Sequence, residues 1–128
     1  MASSLSSVLL RRFSLSSSLG GRGVISLTEV RKKHQGGSAV LIDVREPSEL
    51  KSFGTVPNAV NIPVGYIGEA FGLDDEDFKA IIGAEKPQPT DTIIFFCAKG
   101  IRAKNAYRLV QDHFENSYFY ADSFEHLK

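Results

Sequence analysis

From Val24 onward, short apolar runs alternate with segments whose apolar residues recur every three or four positions. Residues 24–37, VISLTEVRKKHQGG, predict a short strand followed by a helix. Ser26 and Glu29 are spaced as a capping box, and Gly36–Gly37 ends the helix. AVLID, Ala39 to Asp43, is a continuous apolar run of strand length, which predicts a strand buried on both faces. REPSEL (45–50) predicts a short helix with Pro47 in its first turn. A Gly/Pro/Asn turn, GTVPN, then leads into a short strand at AVNIP (59–63). DDEDFKAII (74–82) places its acids where a helix begins. KPQPT is a polar proline loop, and TIIFFC (92–97), the most hydrophobic run, predicts a central strand. In RAKNAYRLVQDHF (102–114) the residues Ala103, Ala106, Tyr107, Val110 and Phe114 share one helical face. SYFYA (117–121) predicts a last strand, and DSFEHLK a terminal turn of helix.

Strands alternating with helices through short connections predict an α/β fold: a small parallel sheet with helices on both faces. At this length one domain is expected, here residues 24–128. In such folds ligand chemistry sits at the carboxyl ends of the strands.

The first 23 residues differ in character. They carry Arg11, Arg12 and Arg22, many serines and no acid, the first carboxylate of the chain being Glu29. Leu5, Val8, Leu9 and Phe13 fall on one face of a transient helix. That composition predicts a disordered leader acting as a mitochondrial transit peptide, directing the protein to the matrix. RRFS resembles a mitochondrial processing site with a cut after Phe13, although a later cut fits as well. Without a working leader the protein would be cytoplasmic, and its removal leaves the remainder mildly acidic.

Composition narrows the function classes. The formal net charge is zero and like charges form no block, so neither nucleic acid nor an anionic membrane is an expected partner. No apolar run is long enough to cross a bilayer as a helix. A single cysteine, Cys97, excludes an internal disulfide, a Cys-x-x-Cys pair and a thiolate-rich zinc site. His34, His113 and His126 are scattered rather than paired, so no metal site is expected. The aromatic residues Phe95, Phe96, Tyr118, Phe119 and Tyr120 lie in strands without interleaved basic residues, which assigns them to the core.

Cys97 is either a small hydrophobe ending a buried strand or a nucleophile aimed into a loop. The run IIFFC suits the first reading, but the residues that follow suit the second. A helix beginning near Arg102 offers unpaired N–H groups and the positive end of its dipole. Gly100 lets the intervening loop curl so that further amides point inward. Such a ring favours the thiolate, and Lys99 and Arg102 add positive charge where an anionic substrate would arrive.

CAKGIR, Cys97 to Arg102, resembles the active-site loop of rhodanese-type sulfurtransferases. LIDVREPSE (41–49) is similar to the Asp-Val-Arg motif of that family, and GTVPNAVNIP (54–63) to its Gly-x-Ile-Pro-Gly-Ala-x-Asn-Ile-Pro segment. Asn58 replaces a glycine there, and asparagine also tolerates a left-handed backbone. The likeness runs from about Val24 to Phe124 and is nearest to the small single-domain thiosulfate sulfurtransferases, including those that use glutathione. Asp122 departs from it, standing where a glycine is common, and a frequent nearby Trp is missing.

The resemblance implies a rhodanese fold and a two-step displacement. Cys97 would take sulfur from thiosulfate as a persulfide and yield it to a small thiol such as glutathione. Cys97 is the candidate catalytic residue; the candidate substrate-binding residues are Ala98, Lys99, Gly100, Ile101, Arg102, Ala103 and Arg45. No cofactor and no general base is implied. Asp43 and Arg45 follow a buried strand and either border the pocket or form an ion pair that fixes neighbouring loops. The structural role is expected for Asp43 and is favoured for Arg45 too, although Arg45 stays among the candidate substrate-binding residues. Two alternatives remain at this point: a persulfide carrier or binding module serving a protein partner, and a Cdc25-like phosphatase or arsenate reductase. The latter family uses Cys-x5-Arg, whereas four residues separate Cys97 from Arg102 here. The oligomeric state is not legible.

Overall fold

The computed structural model describes residues 22–37 and 39–128. The leader read from the sequence therefore lies, up to residue 21, outside the described residues. Its expected last residue, Gly23, takes part in the fold: the Gly23 carbonyl accepts the Phe119 N–H at 2.7 Å.

In chain order the elements are β1 (Val24–Ile25), α1 (Leu27–Gln35), β2 (Ala39–Asp43), α2 (Pro47–Phe53) and β3 (Val60–Asn61). A 3-10 turn (Val64–Tyr66), α3 (Ile67–Gly72), α4 (Asp75–Ile82) and β4 (Thr92–Phe96) follow. The chain closes with α5 (Ile101–Val110), β5 (Ser117–Tyr120) and a second 3-10 turn (Phe124–Leu127). The strands form one sheet in the order β1-β5-β4-β2-β3, and every pairing is parallel. This is the α/β architecture expected from the alternation of runs.

Side chains of successive strand residues point to opposite faces, so the two central strands feed two cores. Leu41, Ile94 and Phe96 pack with Val30 of α1, Val56 and Phe124. Ile42, Ile93, Phe95 and Cys97 pack on the other face with Ile67, Phe78, Ala103 and Tyr107. Each fully buried Phe or Ile contributes on the order of 1.5–3 kcal/mol, which makes β2 and β4 the firm centre of the molecule.

Local differences from the sequence reading have physical causes. Residues 64–72 carried no predicted element, because Gly65, Gly68 and Gly72 dilute the helical signal. They form a 3-10 turn and α3 because Ile67 and Ala70 are drawn fully into the core. Ser26 caps α1, its Oγ accepting the Glu29 N–H at 3.2 Å, but the return bond of a full capping box is not formed. Helix α2 runs on to Phe53 and stops where Gly54 takes φ 87°. The helix read over 102–114 starts at Ile101 and ends at Val110, although Phe114 still packs into the same core. Asn58 adopts φ 65°, the left-handed conformation that its type permits.

Candidate active site

Register places the cysteine. Asp43 pairs with Phe96, and the Val44 N–H donates to the Phe96 carbonyl at 3.0 Å, so β2 and β4 end side by side. Cys97 is the first residue past β4, with Val44 and Arg45 on one flank. On the other flank the chain leaving β5 passes through Ala121, because Phe95 pairs with Phe119.

Cys97 is 1% exposed and lies on the floor of the loop 97–103. The Gly100 N–H donates to its Sγ at 3.0 Å and the Ala103 N–H at 3.4 Å. The curl that brings the Gly100 amide inward needs φ 100°, which an L side chain rarely adopts. A Cβ on Gly100 would also lie 2.6 Å from the Ala121 carbonyl oxygen, so two loops touch backbone to backbone there. Ala103 is buried in the first turn of α5, and the N–H groups of Ile101 and Arg102 in that turn have no intrahelical partner. Sulfur thus sits at the positive end of α5 as well as within the curled loop.

The expected cations behave differently from each other. Lys99 is exposed and makes no ion pair with any other described residue. Arg102 forms a two-pronged pair with Glu49 of α2, Nη1 to Oε1 at 2.6 Å and Nη2 to Oε2 at 2.9 Å. This pair was missed in the sequence, where its members stand 53 positions apart. Hydrogen bonding to Arg102, with help from the Glu46 N–H, holds the Glu49 carboxyl down at about 2. The same bond to Glu49 raises Arg102 above its already high ordinary value, and the nearby Cys97 sulfur adds to it.

A carboxyl held low stabilises the fold above its unfolded value near 4.5 and loses that contribution as pH falls through about 2. Both side chains are between a quarter and a third exposed, so screening limits the pair to about 1 kcal/mol. Glu49→Gln is therefore expected to lower stability by up to about 1 kcal/mol at pH 7, with the difference shrinking between pH 4.5 and 2. Urea unfolding of both proteins at pH 7 and pH 3 checks this, and equal differences at the two values would contradict it.

Asp43 and Arg45 are 1% and 0% exposed. Arg45 Nε donates to Asp43 Oδ1 at 3.0 Å, and Nη2 donates to Oδ2 at 2.7 Å and to the Gly54 carbonyl at 3.0 Å. The Arg45 N–H adds a bond to Oδ1 at 3.0 Å. The Phe124 ring covers the guanidinium with 3.8 Å between its central carbon and the ring centroid, while Nη1 is buried with no protein partner. Arg45, expected among the residues touching substrate, is thus enclosed. It ties the end of β2 to Gly54 and to the C-terminal turn. Asn61 completes this brace, its Nδ2 donating to the carbonyls of Asp43 and Arg45, each at 2.9 Å.

The structure therefore brings the Gly100 and Ala103 amides onto the Cys97 sulfur, holds Arg102 in the same loop through Glu49, and completes the loop with Ala98, Lys99 and Ile101. Ile101 is 76% exposed beside that loop.

The fold is a parallel α/β domain with a buried cysteine at a strand's carboxyl end, cupped by loop amides and a helix amino terminus. The description "Rhodanese-like domain" matches residues 26–128, and the chain belongs to that family. It is 38% identical over 92 residues to "Thiosulfate sulfurtransferase RDL2, mitochondrial" of Saccharomyces cerevisiae, covering 71% of this chain and 61% of that protein. It thus spans about three-fifths of the yeast protein's length. Against the human "Thiosulfate:glutathione sulfurtransferase" it is 37% identical over 94 residues, 73% of this chain and 81% of that protein. The solved structure of the human single-domain sulfurtransferase TSTD1 superposes with a TM-score of 0.77 at 34% identity, covering 83% of this chain and 95% of that one.

Proposed function

We propose that this protein is a sulfurtransferase that accepts the outer sulfur of thiosulfate on Cys97 and passes it to a thiol such as glutathione. The observation that carries this reading is the pair of N–H groups, from Gly100 and Ala103, converging on Cys97 Sγ. They are placed to hold the negative charge that sulfur carries during transfer. The names of the yeast and human relatives support the choice of thiosulfate and glutathione.

In the first step the Cys97 thiolate attacks the outer sulfur of thiosulfate. The new bond joins Sγ to that sulfur, and the bond to the sulfonyl sulfur breaks with its electron pair leaving on sulfite. In the second step an acceptor thiolate attacks the outer sulfur of the Cys97 persulfide. The S–S bond to Cys97 breaks, restoring the thiolate, and the acceptor's proton has gone to solvent. The loop amides from Ala98 to Arg102, that of Gly100 already on Sγ, receive the outer sulfur between the two steps. Lys99 supplies the unneutralised charge that draws the dianionic donor in, and Arg102, restrained by Glu49, lines the same mouth. Arg45 acts from behind as a positioning residue.

Incubation with thiosulfate and glutathione is the test. The reading expects sulfite and glutathione persulfide in equal amounts and no hydrolysis of an aryl phosphate. Release of phosphate without release of sulfite would overturn it.

Residence in mitochondria belongs to the same proposal. It is supported by the acid-free, arginine- and serine-bearing first 23 residues and by the yeast relative's name. A reporter fused behind residues 1–23 is expected to enter mitochondria; cytosolic retention would sink this part.

A further inference from the structure

Beyond the cysteine loop, on the side away from Arg45, an open cleft of about 480 Å³ lies over the carboxyl ends of β1 and β5. Ile25, Leu27 and Ala121 give it apolar walls. Tyr120 and His126 supply a polar pair that satisfies itself, the hydroxyl lying 2.9 Å from Nδ1. Asp122 supplies the charge. Its Oδ1 accepts the Ser123 N–H at 2.8 Å, and the carboxylate makes no ion pair among the described residues. Arg31 of α1 donates to the His126 carbonyl at 3.3 Å and forms no ion pair with Asp122.

The cleft is joined to the reacting sulfur through two contacts. Ala121, its wall, is the residue whose backbone abuts Gly100, and the Gly100 N–H is bonded to Cys97 Sγ at 3.0 Å. A small molecule held against Asp122 therefore rests one loop's thickness from the site of transfer. Exposed groups of opposite charge flank the Gly100–Ala121 contact in sequence: Lys99 in the cysteine loop, and Asp122 in the cleft. An anionic donor is favoured at the first and disfavoured at the second. The second position suits an acceptor that brings a positive group.

We infer that this cleft is the acceptor subsite and that Asp122 selects low-molecular-weight thiols carrying an ammonium group. The inference rests on the sulfurtransferase reading above and adds the chemistry of the acceptor to it. Attack on the persulfide proceeds as already written; Asp122 takes no proton and makes no bond to sulfur, acting only on the affinity and orientation of the incoming thiol.

The probes are cysteamine and 3-mercaptopropionate, which place an ammonium or a carboxylate two carbons from the thiol. Each is compared with itself across variants of the full chain, so their differing thiol acidities cancel. Asp122→Asn is expected to reduce kcat/KM for cysteamine about threefold to tenfold and to leave 3-mercaptopropionate within about twofold. Asp122→Lys is expected to reduce cysteamine further and to raise 3-mercaptopropionate. A merely structural role would move both acceptors together, and that result, or no change in either, overturns the inference. Persulfide loading of each variant from thiosulfate is read separately by mass. Loading with unchanged acceptor preference defeats the role of Asp122 alone, whereas failure of the wild-type chain to load defeats the sulfurtransferase reading and this inference with it.

Discussion

Replacing Gly100 with alanine is expected to cost about 3 kcal/mol of stability and to reduce turnover about a hundredfold or more. Two penalties coincide at this position. The backbone holds φ 100°, where an added side chain is strained regardless of space. The added methyl would also meet the oxygen, carbon and Cα of Ala121 at 2.6, 2.7 and 2.8 Å, and these are backbone atoms of a neighbouring loop that cannot turn away. Relief requires Gly100 to move, which withdraws its N–H from Cys97 Sγ and opens the wall shared with the Asp122 cleft. Loss of a preorganised donor to a reacting anion is the larger part of the activity effect. Gly68 in α3 is the control, since nothing lies within 4 Å of a Cβ placed there. Gly68→Ala should hold turnover and leave stability equal or higher by up to about 1 kcal/mol. Urea unfolding and sulfite release measured on both variants check the pair. A Gly100→Ala protein with normal turnover would remove the loop geometry from the mechanism.

Arg45→Met is expected to destabilise the fold by about 3–5 kcal/mol, a large part of the margin of a small domain. The substitution keeps most of the side-chain volume but leaves the Asp43 carboxylate, 1% exposed, without its cation. It also leaves the Gly54 carbonyl without the Nη2 donor and Phe124 without the guanidinium over its ring. Arg45→Lys is not a rescue, since one ammonium cannot replace Nε and Nη2 on a carboxylate and a third bond at once. In a double-mutant cycle with Asp43→Asn the losses should fall well short of additive, with a coupling of about 2 kcal/mol. Additive losses would mean that the two residues act independently and that the brace does not exist as drawn. Chemical unfolding is the primary readout. At temperatures where the variant remains folded, persulfide formation should persist, which separates a positioning residue from one that touches substrate.

The elements that could be read in the chain are those whose signal is local. AVLID and TIIFFC announce buried strands by composition alone, and the carboxyl end of the second fixes where Cys97 must stand. Gly100 is legible for the same reason, since a loop that must curl around a sulfur within four residues needs a glycine. What escaped the sequence is tertiary. Glu49 and Arg102 meet because α2 and α5 flank the same mouth, and nothing in REPSEL or GIRA marks them as partners. The stack of Phe124 on Arg45 depends on the last turn folding back over the end of β2. Helix α3 was hidden by three glycines in residues 65–72, and burial of Ile67 and Ala70 overrides them. The cleft beside Asp122 likewise exists only because parallel pairing sets β1 beside β5, the first strand against the last.

The central claim is that Cys97 carries sulfur between donor and acceptor. Intact mass of the protein before and after thiosulfate, then after glutathione, with Cys97→Ala alongside, tests it most directly. The account predicts a gain of one sulfur atom that requires Cys97 and disappears when glutathione is added. No gain with thiosulfate, or an equal gain in the Cys97→Ala protein, would contradict it.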